Sequence, residues 1–143
     1  MMTNPKRPQI DRLLTQPVLA RLATADPTSG QPHVVPLWFL WDGEVIWISS
    51  FGNTQKVKTL RQNPQAALLI EPDAGHPSEL QAVLIQGPIE IIESPREFVA
   101  EQALAIYTRY LGTEGAQAPD PQSWAHDPNS LLLRLQPENV IAW

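Results

Sequence analysis

Between Ser49 and Lys56 the chain gathers two adjacent hydroxyls, a glycine, three small polar residues and a cation: Ser49-Ser50-Phe51-Gly52-Asn53-Thr54-Gln55-Lys56. Ser49, Ser50 and Thr54 can donate hydroxyl hydrogen bonds, Asn53 and Gln55 can donate amides, and Lys56 adds a full positive charge. The apolar run Val45-Ile46-Trp47-Ile48 precedes them as a strand would, and Val57 and Leu60 follow at helical spacing until Asn63-Pro64. The group therefore sits at a strand-to-helix corner. A helix N-terminus carries unpaired N–H groups and a partial positive charge, so it attracts anions. Together these residues have the chemistry to hold one phosphate. The same types also make an ordinary cap, Asn53 or Thr54, followed by a solvated lysine, and spacing alone leaves both readings open.

Beside the corner lie Trp38, Trp41 and Trp47. Aromatic and branched side chains over a strand pair can form a flat slot for a planar ring, or they can simply pack a core. The runs His33–Trp41 and Glu44–Ser49 flank Asp42-Gly43, a favoured two-residue hairpin signal between β-prone segments. In such a hairpin the strand beginning at His33 lies beside the strand ending at Ser49-Ser50, which brings slot and phosphate hook together. A ligand with a flat ring at one end and a phosphate at the other meets that demand. Both strands are apolar on both faces, as expected where one face meets the core and the other meets a subunit, a ligand or both. Pro36 cannot donate to a ladder, which marks an edge position or a bulge.

The remaining elements follow from periodicity and punctuation. A short helix is expected over 9–16, stopped by Pro17, and a strand over 18–25, ended by the turn composition of 26–30. The corner helix should run over 53–62. Further strands are read at 66–71 and 80–92, the second bent at Gly87-Pro88. A helix is expected to open with Ser94 as its cap, Pro95 in its first turn and Glu97 behind, and to end at Gly112. Residues 113–129 read as a polar, proline-containing loop, residues 130–135 as a strand, and the apolar end at Trp143 as docked. With about six strands, mostly tight turns, three helices and no βαβ alternation, the expected fold is mainly β: a six-stranded antiparallel barrel with peripheral helices, one domain over 1–143.

Composition narrows the function. The chain has 143 residues, a net charge of −5, no cysteine and 15 prolines placed mostly at junctions. An acidic chain without a basic stripe lacks the surface that nucleic-acid binding requires. Zero Cys removes disulfides and thiolate catalysis and suits a reducing compartment. No stretch reaches the roughly 20 apolar residues of a membrane-spanning helix, so the expectation is a soluble, cytoplasmic protein. His33, His76 and His126 lie far apart, with no metal-ligand spacing, and neither a nucleophile elbow nor a glycine-rich nucleotide loop is present. With no evident nucleophile or acid/base pair, the hard chemistry of any reaction would belong to a cofactor.

The order VVPLWFLWDGEVIWISSFGNTQKVKTLRQNPQAALLI, then VLIQGPIEII, then LLLRLQPENVIAW, resembles the pyridoxamine 5′-phosphate oxidase-like FMN-binding split barrels, a superfamily that includes flavin and deazaflavin oxidoreductases. The resemblance spans about residues 10–143 and is most specific over 33–71. It implies a split β-barrel homodimer with FMN held at the interface by both chains, acting as a flavin-dependent oxidoreductase on a small substrate or as a flavin carrier or sensor. By position it implies that His33, Val34, Val35, Pro36 and Trp38 run along the flavin ring. Ser49 and Ser50 would then lie near the ribityl-phosphate, and Thr54, Gln55 and Lys56 would hold the phosphate. Gln55 stands where many members carry Arg, and His33 replaces an Arg of the oxidase proper. The segment GNTQKVKTLRQNP equally resembles the branch that uses the deazaflavin F420. Haem binding, a third property in the superfamily, calls for an axial His, and none of the three is placed for it.

Overall fold

The computed structural model describes residues 3–143. Helix α1 spans Arg7–Leu14 and buries Ile10, Leu13 and Leu14, the stripe expected from spacing. Strand β1 (Ala20–Ala25) turns into β2 (Pro32–Leu37), and after a break at Trp38 and Phe39 comes β3 (Leu40–Trp41). Strand β4 (Ile46–Phe51) leads into α2 (Gln55–Gln62), followed by β5 (Gln65–Ile70) and β6 (Val83–Ile92). Helices α3 (Arg96–Ala116) and α4 (Pro119–His126) precede β7 (Ser130–Leu135) and β8 (Asn139–Ala142).

The described residues thus form eight strands and four helices, against the six and three expected. All strands lie in one antiparallel sheet of order β2-β1-β5-β6-β7-β4-β3, with β8 pairing β6. The two ends of that order, β2 and β3, are consecutive in the chain. The sheet therefore curls until its edges are joined by Trp38-Phe39, giving a barrel with a split, with helices outside. Strand β6 makes the curl possible. Its first half pairs β5 and β8, its second half pairs β7, and the change falls at Gly87-Pro88 as the sequence anticipated. A Cβ on Gly87 would lie 1.9 Å from the Gln136 carbonyl oxygen, so only glycine permits this crossing.

Three local expectations are corrected. The long hairpin does not form: only Leu40 and Trp41 pair with β4, opposite Trp47 and Ile46, while residues 32–37 pair with β1. Alternating apolar patterns identify strands but do not choose their partners. Pro36 nevertheless sits on an edge strand, where its missing N–H costs nothing. The turn also shifts, because Trp41 pairs with Ile46 and leaves Gly43 and Glu44 at the tip. The Asp42 carboxylate accepts the Glu44 and Val45 amides, each at 2.8 Å, and the Trp47 indole at 2.9 Å. Burial alone would raise this carboxyl's pKa, but these donors and Arg134 more than offset it and hold it below the ordinary value.

The second correction concerns α3, whose cap is Pro95, without a side-chain cap bond, rather than Ser94. Gly112 has φ +77°, so the helix breaks there as expected but resumes to Ala116. The third is α4, which occupies part of the expected loop. Its prolines occupy the first turn, where the missing N–H has no intrahelical partner in any case.

Two apolar clusters result. Inside the barrel lie Leu22, Phe39, Ile46, Ile48, Leu68 and Leu133 with the α1 and α2 stripes. Outside β4 and β7, the residues Val45, Trp47 and Leu132 pack against Val99, Ala103 and Ile106 of α3. The backbone of Trp143 is tied to Gln81 and Ala82, so the apolar end is docked as expected. No described helix is long and apolar enough to cross a membrane.

Candidate functional site

The strand break creates the site. Because β3 ends after two residues, β4 has no partner on that side from Ile48 onward. Strand β2, as the other sheet edge, pairs only with β1. Two free backbone edges, Pro32–Leu37 and Ile48–Phe51, therefore flank the split. Each leaves N–H and C=O groups without a ladder partner, which suits the donor and acceptor edge of a planar heterocycle.

Two residues of α3 secure the break. The Phe39 amide donates to the Tyr110 hydroxyl at 3.2 Å, and that hydroxyl donates to the Val18 carbonyl at 2.8 Å. The Arg109 guanidinium donates to the carbonyls of Phe39, Leu14 and Gln16 and lies over the Phe39 and Tyr110 rings. It faces no carboxylate among the described residues, and burial lowers its pKa. Tyr110 also stacks on Trp38, with centroids 4.8 Å apart and planes 6° apart.

The adjacent serines face opposite sides, as neighbours in a strand must. Ser50 is 2% exposed and points into the barrel, 3.5 Å from the Thr54 hydroxyl, a separation beyond an ordinary hydroxyl hydrogen bond. Ser49 points out and shares a 3.0 Å hydrogen bond with the Tyr107 hydroxyl. There it lines a cleft of about 230 Å³ with Trp38, Phe51, Ile106, Tyr107 and Trp124. Trp38 and Ser49 thus come together, and Phe51 continues the wall toward α2.

At the corner, Thr54 is the cap residue of α2, but its hydroxyl donates to the Phe51 carbonyl at 2.8 Å instead of to an amide. Gln55 spends its side-chain amide on Thr59 at 3.2 Å. The first intrahelical bond runs from the Lys58 amide to the Thr54 carbonyl, so the amides of Gln55, Lys56 and Val57 stand outside the ladder. Lys56 is half-buried, burial lowers its pKa, and no hydrogen bond or carboxylate meets it among the described residues. A cation partly held out of water without a counter-charge has the chemistry to receive an anion.

On β2, His33, Val35 and Leu37 face inward while Val34 and Pro36 face out. His33 lies opposite Thr24 of β1, and both His33 Nδ1 and Thr24 Oγ1 are buried without a partner. His76 is bonded to Asp73, and His126 to the Gln122 carbonyl. No group of three or more metal-ligating side chains occurs among the described residues. Tyr107, Tyr110, Arg109 and Trp124 were not singled out from the sequence. The spacing Tyr107-x-Arg109-Tyr110 next to the apolar run Ala103-Leu104-Ala105-Ile106 was the available signal.

Comparison with known proteins identifies the family and the fold. The family model described as pyridoxamine 5′-phosphate oxidase matches residues 7–143. A search of curated proteins finds no match. Among solved structures, the conserved hypothetical protein Rv2991 from Mycobacterium tuberculosis is 23% identical, with a TM-score of 0.78 over 100% of this chain and 85% of that one. An F420 reductase is 25% identical, with a TM-score of 0.72 over 92% and 94% of the two chains. HutZ, the haem storage protein from Vibrio cholerae, is 19% identical, with a TM-score of 0.72 over 94% and 92%.

Proposed function

Since the chain belongs to the pyridoxamine 5′-phosphate oxidase family, we propose that it binds FMN at the split of its barrel and serves as a flavin-dependent oxidoreductase. The observation that carries this reading is Lys56, a half-buried ammonium with no partner among the described residues, the second residue of a helix whose first amides are free. Lys56 and the amides of Gln55 to Val57 are suited to hold the phosphate, while the buried Ser50 hydroxyl lies behind them inside the barrel. The free edges of β2 and β4 would take the polar edge of the ring, with Trp38 and Ser49 at its flank. When bound, the flavin supplies reversible uptake of a hydride or of electrons, chemistry that no side chain of the site offers. The protein's part would be to orient the ring by backbone contacts and fix the phosphate, with Trp38 excluding water beside it.

The reading includes a homodimer. Val34, Ile141 and Trp143 are 59%, 46% and 48% exposed. Residues of β2, β1, β5, β6 and β8 that alternate outward form one sheet face, on which Leu69 pairs across to Leu84 and Leu84 to Ile141. The exposed apolar residues of this face, bordered by Arg21, Gln86 and Asn139, suit a cover, and a second copy would supply one that also borders the split.

FMN titration with Lys56→Ala tests the proposal. The wild-type chain should bind FMN, and the variant should bind about 5- to 150-fold more weakly, the range for one charge-assisted hydrogen bond of about 1–3 kcal/mol. A wild-type protein that takes up no FMN would end the reading. F420 is the second reading, favoured by the 25% identity to an F420 reductase and by Gln55, which leaves Lys56 as the only cation among the three helical residues with free amides. Parallel titration with F420 decides between them.

A further inference from the structure

The cleft outside β4 has walls the cofactor reading does not use: Phe51, Ile106, Tyr107 and Trp124, with Trp38 and Ser49 at its inner end. We infer that this cleft is the second-substrate pocket of the site proposed above, and that it takes a neutral, planar compound of one or two rings bearing a carbonyl. The inference rests on the cofactor reading for the word substrate, but the binding pocket stands on its own geometry.

Four features select that class. First, the lining carries no ionised group. Burial pushes the Tyr107 phenol up from its ordinary value, so it stays neutral at physiological pH. The nearby cation of α3, Arg109, spends its donors on the carbonyls of Leu14, Gln16 and Phe39. A ligand phosphate or carboxylate would lose its hydration here and gain no counter-charge.

Second, the walls are rings set nearly at right angles. Tyr107 and Trp124 stand at 84° with centroids 5.7 Å apart, and Trp38 and Tyr107 at 70° and 6.2 Å. A flat ligand can meet one wall face to face and another edge to face.

Third, the volume of about 230 Å³ lies below the roughly 300–1,000 Å³ of pockets for drug-sized ligands. It suits one or two fused rings rather than a nucleotide.

Fourth, the Ser49 and Tyr107 hydroxyls carry two protons between them and their mutual hydrogen bond uses one. The other proton has no acceptor among the described residues, so the hydroxyl pair presents one free donor, and the other side-chain polar atoms of the lining residues, the Trp38 and Trp124 indole N–H groups, are donors as well. A ligand carbonyl supplies the missing acceptor.

Calorimetric titration of the protein with 1,4-naphthoquinone, with and without saturating FMN, tests the inference. The chain has no cysteine to add to the quinone. The quinone should bind the cofactor-free and the FMN-loaded protein with similar Kd, and pyridoxal 5′-phosphate should not displace it. Trp124→Ala, at a wall 39% exposed and therefore tolerant of truncation, should weaken quinone binding about tenfold. Tyr107→Phe should weaken it about fivefold, and FMN affinity is read separately in each variant. The inference is overturned by absence of quinone binding, by competitive displacement with FMN, by equal binding of pyridoxal 5′-phosphate, or by unchanged quinone affinity in both variants. Failure of FMN to bind while the quinone binds overturns only the cofactor reading.

Discussion

Replacing Lys56 with Met should move stability and cofactor affinity in opposite directions. The Lys56 ammonium is half-buried, its pKa lowered by loss of hydration, and it meets no acceptor among the described residues. A lowered folded-state pKa means the native state holds the proton less firmly than the unfolded chain, whose Lys titrates near about 10.4. Stability therefore rises with pH in the alkaline window up to that value, and at neutral pH the cost of desolvating the charge is fully present. Met keeps the stem's volume and removes the charge, so without cofactor Lys56→Met should be more stable by about 0.5–1 kcal/mol, or roughly 2–5 °C in Tm for a chain of this size.

With FMN the order should reverse. At ligand one hundred times the wild-type Kd, binding stabilises by about 2.7 kcal/mol. If the variant binds about thirtyfold more weakly, that contribution falls to about 0.9 kcal/mol, and the loss exceeds the gain. Thermal unfolding of both proteins, with and without FMN, reads the crossover directly. A variant less stable in both conditions, or equally stabilised by FMN, would show that Lys56 is an ordinary surface charge and would remove the main support for the phosphate site.

Other perturbations follow from the same geometry. Gly87→Ala should cost at least about 3 kcal/mol in denaturant unfolding, because its Cβ would meet the Gln136 carbonyl oxygen at 1.9 Å; a loss under 1 kcal/mol would mean that the strand crossing relaxes. Arg109→Met leaves the carbonyls of Phe39, Leu14 and Gln16 without their donor and should destabilise by about 2–4 kcal/mol; a smaller change would show that water replaces the guanidinium. Ile141→Asp, on the outward face of β8, should shift the protein to monomer in light scattering while its circular dichroism is unchanged, and a dimer of unaltered affinity would move the interface elsewhere. The Asp42 carboxyl titrates below its ordinary value, so its stabilising contribution is present above about pH 4 and lost as pH falls through the lowered pKa. Asp42→Asn should flatten the acid limb of the stability profile.

The sequence was most informative where a residue's covalent chemistry restricts the backbone. Pro36 on an edge strand, Gly87-Pro88 at the strand crossing and Gly112 at the helix break are properties of single residues, and each holds in the structure. Partner choice was less accessible. The run 33–41 has strand composition throughout, yet its halves join opposite edges of the sheet, because the hydrogen-bond partners that stabilise the break lie some 70 positions away, in the donor Arg109 and the acceptor Tyr110. Within the corner, the hydroxyls and amides are present as expected, but Thr54 and Gln55 satisfy neighbours in their own segment. Which polar groups remain free depends on three-dimensional partners, and that property singles out Lys56.

The break at Trp38-Phe39 and the candidate site are one feature. A continuous strand over 32–41 would pair its whole length on one edge and leave β4 covered past Ser49, closing both the groove with its free backbone and the inner end of the aromatic cleft. Opening the edge removes ladder hydrogen bonds and exposes strand edges, which proteins otherwise keep short or covered. The chain offsets this locally: Tyr110 takes the Phe39 amide, Arg109 takes its carbonyl, and the Phe39 ring is fully buried in the barrel core. Helix α3 carries both of these residues and also Tyr107, one turn earlier, which faces the cleft and bonds Ser49. The element that stabilises the irregular backbone thus also shapes the pocket beside it. Any change that restored regular pairing at Trp38 would raise local order and close the candidate site, which is the relation expected where a functional site departs from ideal structure.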